Sequence, residues 1–483
     1  MVKHPKLRLK PNRSQIRSSD LHLRNKTTVF LVLLTLLTIG FRSHAAERNT
    51  TFIYPPFQHT WGVVRATPFK LRLFVGNKTR FNDPQGIACV RLNACEDTSR
   101  TSDDDEITAY GVNSGDNCIL YNRSMFSLGV YGLDKEHYRF KQPWGIAANA
   151  QGDVYVADRG NAKVVRLFNS GADLKFISLL GAPADQPGGL LDPRGVALDS
   201  RGNVYVTDSG LDRVMVFDAR GQVTGMWEGF DGPDGIAVVD PGEKWSYYQQ
   251  DGFAVVIDSL HQRVRKLSLA GEPMAEARAS DWGVSEAFLG CVTLDYYNQI
   301  LITDRNHGCI HKLDRNLNYL TSFGEPGSGD YQFDQPRGIA IYRRFGQLLV
   351  AEREGAQYMW VAVEVQRFSA KVVADSIWRD LHVDFQLTEP AYCDLDVMDN
   401  FGRLLARLSP GRRFGADAGH FAWGLTIPDK LPGDQSYPAL PANYRPGQPL
   451  PTGDYVIRGR FRATYSSREH YNREVEAKFH LDW

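Results

Sequence analysis

Five side chains of chemically useful type occupy one repeated address, the position between a proline and a glycine: Gln85, Trp144, Arg194, Asp234 and Arg337. A sixth, divergent copy has Gly290 at this address, within Phe-Leu-Gly-Cys. Brought to one opening, two guanidiniums, an indole and a carboxylate would grip a carboxylate-bearing ligand such as a sugar acid or an acidic peptide end. Arginine binds carboxylates bidentately and tryptophan supplies a flat apolar face. The competing outcome is that the arginines merely neutralise Asp234 and nearby acids. Metal chemistry has little to work with at this address, because none of the six positions is a histidine and Asp234 with Gln85 is a short ligand set. No metal and no other cofactor is expected.

Other reactive residues read as structural. Asp158, Asp208, Asp258 and Asp304 each close an alternating apolar run. A carboxylate there accepts backbone N–H bonds of the following turn, so these are turn locks and not a metal cluster. His307 and His311 are four apart, but a strand does not aim such a pair at one ion as a helix would, so they read as separate surface or strand residues. Nucleophile elbows, phosphate-cradling loops and paired-cysteine metal motifs are absent. Of the six cysteines, Cys89 and Cys393 fall in core positions and Cys95 and Cys118 stay unassigned. Cys291 and Cys309 form a candidate disulfide at one rim of a blade, against which stands an intervening strand that would hold them about 10 Å apart.

The elements that must carry these residues show themselves as a repeat. DPQGIACV, QPWGIAAN, DPRGVALD, GPDGIAVV, FLGCVTLD and QPRGIAIY recur in order from Asp83 to Tyr342. Four copies are followed closely by a second fragment, as in GDVYVADRGNAKVVRLF or GNVYVTDSGLDRVMVFD; the two outer copies end more loosely, as DEITAYG and GQLLVAERE. A period of this length marks a propeller or solenoid. Each unit makes sense as short antiparallel strands: glycine where inner strands crowd an axis, a Gly-Asn or Gly-Asp hairpin, then Val-Tyr-Val alternation on a half-buried strand. These fragments resemble the NHL repeat, which implies a six-bladed β-propeller over residues 57–365. The segment from His59 to Gly76 has no inner-strand motif and is expected to supply the outer strand that closes the ring.

Beyond residue 365 the periodicity changes. Leu381, Val383, Phe385 and Leu387 alternate with polar residues, as do Tyr455, Ile457, Phe461 and Ala463 and then Val475, Ala477, Phe479 and Leu481. About seven such runs suit a β-sandwich. The series DFQLTEPAYCDLDVMDNFGRLLARL, HFAWGL and PLPTGDYVIRGRF resembles the immunoglobulin-like domain of flagellar hook-capping proteins, with Trp423-Gly424-Leu425 departing from that family's Trp-Asp-Gly. A proline-rich stretch from Lys430 to Pro451 reads as a surface loop. The expected fold is therefore all-β: a six-bladed β-propeller over 57–365 followed by an immunoglobulin-like β-sandwich over 366–483.

The amino terminus reads as a targeting segment, residues 1–45, with 46–56 as a linker. Residues 27–41 form an uncharged apolar run behind eight basic side chains, too short for a typical spanning helix. Ser43 and Ala45 fit cleavage after Ala45; an uncleaved anchor is the alternative. Either way the remainder leaves the cytoplasm, and membrane contact is confined to this segment. Asn49, Asn77 and Asn122 match the glycosylation pattern. With 56 basic and 56 acidic side chains the chain has no net field to draw it to phosphate backbones, so nucleic acid is not an expected partner. The sequence points to an exported binding or scaffold protein for a protein, peptide or glycan, acting through its loop face and channel mouth. The alternative is a channel-site hydrolase or lyase. NHL-type amidating lyases place zinc-binding histidines at the inner-strand starts, and lactonase-type propellers use converging carboxylates; this chain has neither pattern there.

Overall fold

The computed structural model describes residues 48–60, 62–95, 107–124, 127–258, 262–374, 379–431, 440 and 443–483. The leader and its cleavage position lie outside these residues, as does part of the proline-rich stretch. Among the described residues no helix is long and apolar enough to cross a membrane.

Five four-stranded antiparallel sheets follow one another in chain order, and each begins at a repeat motif. Their inner strands are Pro84–Val90, Pro143–Ala148, Pro193–Leu198, Pro233–Val239 and Leu289–Leu294. The sixth sheet starts with Ile339–Tyr342. Each inner strand packs against the next, and the sixth against the first, so the six blades close a ring. The chain is an all-β six-bladed propeller followed by two further sheets.

Glycine makes the convergence sterically feasible. A Cβ built on Gly145 would stand 2.1 Å from the Arg194 carbonyl oxygen, on Gly195 2.3 Å from that of Asp234, and on Gly338 2.4 Å from that of Gln85. None of these glycines has a positive φ, so close approach and not backbone freedom demands them. In the first five blades the pairing register shifts across the Pro-x-Gly or Leu-Gly-Cys segment, for example between Pro143 and Ile146. Such a bulge re-aims the side chain it carries.

Closure of the sixth blade differs in detail from the expectation. Arg65–Ala66, from the anticipated segment, pairs with Gly355–Val361. Phe52–Ile53, within the stretch read as linker, pairs with the other end of the same strand. The residues between Pro68 and Val75 are helical instead of extended, because Pro68 suits the first helical turn and the Thr67 hydroxyl accepts from the Lys70 N–H at 3.3 Å.

After the propeller, Val365–Ala374, Arg379–Leu387 and Asp417–Trp423 form one sheet. Leu404–Arg407, Ala391–Asp399, Gly453–Ala463 and Arg473–Leu481 form a second, with Arg412–Phe414 also pairing to Ala391–Asp399. The alternation seen in the sequence is realised: Leu381, Val383 and Phe385 of one sheet share a buried cluster with Cys393, Leu395, Ile457 and Phe461 of the other. That cluster runs on without interruption into blades five and six through Phe323, Leu348 and Met359. Where the two parts meet, the fully buried Lys312 and Glu389 pair directly. Asn49–Trp483 accordingly forms one compact unit.

All six cysteines are free thiols, so the Cys291–Cys309 disulfide is not formed. The two stand on the first and third strands of blade five, with the Asp304 strand paired between them. Asn49 and Asn122 have their side-chain nitrogens committed within the fold, to Thr321 and Ser322 and to the Ile107 carbonyl respectively, whereas Asn77 is exposed.

Candidate functional site: the two mouths of the channel

The residues singled out at the inner-strand starts do converge. Gln85, Trp144, Arg194, Asp234 and Arg337 line one constriction, joined by Arg305, which follows the turn aspartate of blade five. Their arrangement is mutual satisfaction. The Trp144 indole N–H reaches across two blades to donate to Asp234 Oδ1 at 3.2 Å, and Arg194 Nη1 lies 3.7 Å from Asp234 Oδ2. Arg305 donates to Gln85 Oε1 at 3.1 Å, and Arg337 pairs with Asp83. Three guanidiniums, those of Arg159, Arg194 and Arg305, stand 5.1 to 5.7 Å from the centre of the Trp144 ring, within reach of its π face. Burial pushes the Asp234 carboxyl up, against the pull of Arg194 and Arg305, and pushes the Arg305 guanidinium down. The space left is about 30 Å³, room for a single water. This end is a plug.

The turn aspartates also join consecutive blade elements. Asp208 accepts from the backbone N–H groups of Leu191, Asp192 and Gly210 at 2.9 to 3.1 Å. Asp158 accepts from the Lys141 N–H at 2.7 Å and the Tyr138 hydroxyl at 2.8 Å, and Asp304 from the Phe288 N–H at 3.1 Å. Each therefore clamps the chain approaching an inner strand to the end of the second strand. In the two loosely ending copies the same task falls to Asn113, which accepts from the Asn82 N–H at 2.8 Å, and to Glu352, which accepts from the Asp334 N–H at 3.1 Å. Asp258 pairs with Arg263 at 2.8 Å.

His307 and His311 are not independent. His307 sits on the turn after Asp304 and His311 on the next strand, so the strand-period argument does not apply between them, and both rings reach the same Asp304 Oδ2, at 2.8 and 3.1 Å.

The opposite end of the channel is open. There the inner strands finish at Cys89, Ala148, Leu198 and Ile341 beneath a cavity of about 500 Å³. Its wall carries Arg91, Gln151, Lys244, Trp245, Tyr342 and Arg343, with Asp199 and Glu243 as its acids. The 240–252 loop of blade four supplies Glu243, Lys244 and Trp245 and is anchored by Asp240, which accepts from the Ser200 N–H at 3.0 Å and hydroxyl at 2.6 Å. Two cations, Lys244 and Arg344, lie 4.7 and 4.8 Å from the Trp245 ring. Arg343 is largely buried; its Nη2 donates weakly to the Val238 carbonyl at 3.4 Å. Its Nη1 stands 4.0 Å from Glu243 and has no hydrogen-bond acceptor among the described residues. Burial pushes the Cys89 thiol up to about 12, which makes it a poor nucleophile.

The NHL repeat family matches residues 140–167 and 190–217, the second and third repeat copies. No curated protein matches the sequence. Among solved structures, similar ones include a virginiamycin B lyase from Staphylococcus aureus, 12% identical, with a TM-score of 0.40 over 59% of this chain and 96% of that one. A gluconolactonase from Xanthomonas campestris is 14% identical, with a TM-score of 0.42 over 62% and 94%. A surface component of the type-IX secretion system of Porphyromonas gingivalis is 12% identical, with a TM-score of 0.41 over 82% of this chain and 51% of that one. At these values the activities of the three proteins carry no argument for this chain.

Proposed function

We propose that the chain is an exported NHL-repeat binding module whose ligand enters the open end of the channel, and that the ligand is the acidic end of a glycan or peptide. The observation that carries this is the 500 Å³ mouth with a largely buried arginine, Arg343, whose Nη1 has no hydrogen-bond acceptor among the described residues. A desolvated guanidinium with unused donors favours an incoming carboxylate, and Trp245 beside it offers a stacking face for a sugar ring or peptide plane. Export rests on the leader in the sequence. The two C-terminal sheets are read as an immunoglobulin-like support, fixed to the propeller by their shared core. A hydrolase or lyase acting at the constricted end would need Asp234 released from Trp144 and Arg194, so binding at the open end is the better-supported activity.

The test is a screen of the purified chain against uronate-containing and neutral oligosaccharides and acidic and neutral peptides, with hits titrated by calorimetry. Arg343→Ala should weaken an acidic hit at least tenfold, about 1.4 kcal/mol, while Arg194→Ala leaves it within twofold. The reverse pattern would place the ligand at the other mouth, and exclusive binding of neutral ligands would remove the proposed chemistry.

A further inference from the structure

Blade five departs from its neighbours at the residue facing the turn aspartate. The partner paired with that aspartate in the sheet is Lys163 in blade two, Arg213 in blade three and Arg263 in blade four. Arg263 places its guanidinium on the Asp258 carboxylate. In blade five the partner of Asp304 is Cys309, a thiol where blades two to four hold a cation; blade one also has a thiol there, Cys118, but opposite the uncharged Asn113. Two residues on, where the corresponding positions are Val165, Met215 and Arg265, stands His311.

The substitution leaves a buried carboxylate facing soft and borderline ligand atoms. Asp304, Cys309 and His311 are all buried, and one ligand atom from each lies within 4.8 Å of the others. Asp304 Oδ2 to His311 Nε2 is 3.1 Å, and Cys309 Sγ to His311 Nε2 is 3.8 Å. Tetrahedral zinc bonds of the usual lengths set ligand atoms about 3.3 to 3.7 Å apart. His307 Nδ1, 2.8 Å from the same Asp304 oxygen, belongs to a ring that is 42% exposed and lies outside this group of mutually close atoms, so it orients the Asp304 carboxylate from the solvent side. The outer surroundings fit as well. His311 Nδ1 is 2.7 Å from Ser322 Oγ, which bonds in turn to the Tyr319 hydroxyl at 2.7 Å, the kind of contact that fixes a ligating ring. Trp282 packs on the His311 ring and stacks on Tyr319, shielding that side.

We propose that Asp304, Cys309 and His311 form a transition-metal site in blade five, best suited to Zn(II) with water as the fourth ligand, in which a bound ion takes the place of the arginine that pairs with the aspartate in blade four. The mixed carboxylate, imidazole and thiolate set suits a borderline ion such as Zn(II) over hard cations such as Mg(II) or Ca(II). Binding releases the Cys309 proton to solvent and requires no redox partner. The site is off the channel axis and independent of the ligand proposed for the open mouth.

The decisive experiment loads the full purified chain with Co(II) and separately with Zn(II) after chelator treatment. One ion per chain is expected, with a thiolate-to-cobalt charge-transfer band in the near ultraviolet and a rise in melting temperature on adding Zn(II). Cys309→Ser should abolish the charge-transfer band. His307→Gln, altered on a half-exposed turn outside the ligand set and therefore safe for folding, should keep both the band and the stoichiometry. Binding of less than half an equivalent by the wild type, a charge-transfer band unchanged in Cys309→Ser, or loss of the band in His307→Gln would overturn this three-ligand site.

Discussion

Replacing a glycine near the channel axis by alanine should have sharply different consequences at two neighbouring positions of the inner strand. In Gly145→Ala the new methyl meets the Arg194 carbonyl oxygen at 2.1 Å, a backbone atom of the next blade that cannot rotate away. Restoring an ordinary contact needs a displacement of about 1 Å between two close-packed sheets, an overpacking that costs about 2–3 kcal/mol. Alanine also restricts the unfolded chain, which returns about 0.4–1 kcal/mol. The net expectation is a loss of about 2 kcal/mol. Gly290 stands one position earlier, where blade two has Trp144, and in Gly290→Ala the nearest atoms are Arg305 Nε and Thr303 Oγ1 at 3.3 Å, with the next blade's Arg337 carbonyl 3.6 Å away. Here a few tenths of an ångström suffice, and the unfolded-state gain brings the change to within about 1 kcal/mol of zero. Urea unfolding followed by tryptophan fluorescence measures both. Equal midpoints for the two variants, or a more harmful Gly290→Ala, would refute the claim that inter-blade contact at the axis is what selects glycine.

Asp208→Ala removes the acceptor of three backbone N–H groups and should cost about 3 kcal/mol in urea unfolding, with Asp208→Asn losing about half as much because it can keep the oxygen that serves Asp192 and Gly210. Lys312→Met removes the partner of the buried Glu389 carboxyl and should cost about 1–3 kcal/mol at neutral pH, because that carboxyl is mostly protonated there and what is lost is a buried hydrogen bond. Burial holds the Glu389 carboxyl up at about 8 against an ordinary value of 4.5. The fold therefore keeps a proton that the unfolded chain gives up: its contribution to stability is full below pH 4.5 and is lost as pH rises through 8. The urea midpoint of Glu389→Gln should fall less between pH 5 and 8 than that of the wild type, and identical slopes would show that this carboxyl does not titrate as stated.

The propeller was legible because its steric demand is written at one address: glycine stands where the inner strands meet in five of the six blades, with Cys291 there in the remaining one, and the repeat of Pro-x-Gly follows from that. The C-terminal sheets were legible because two faces of opposite character force a period of two. Short or substituted elements were not. Phe52–Ile53 is too brief to alternate, and Asn113 and Glu352 do the work of the turn aspartates with different side chains. At the channel, sequence position identified which residues converge but not that Trp144 would lie across to Asp234 and fill the space, since that depends on reach and not on spacing. The open mouth is built from loops with no shared register; its one trace in the sequence is the long 240–252 interval in blade four. His307 and His311 were judged by strand geometry, whereas the turn between them brings both onto Asp304.

A crystal structure of the chain with its tightest-binding acidic oligosaccharide or peptide tests the central claim most directly. The account predicts ligand density at the open mouth, with a carboxylate on Arg343 and a ring or peptide plane against Trp245. Density beside Trp144 and Asp234, or on an outer face away from the channel, would contradict it.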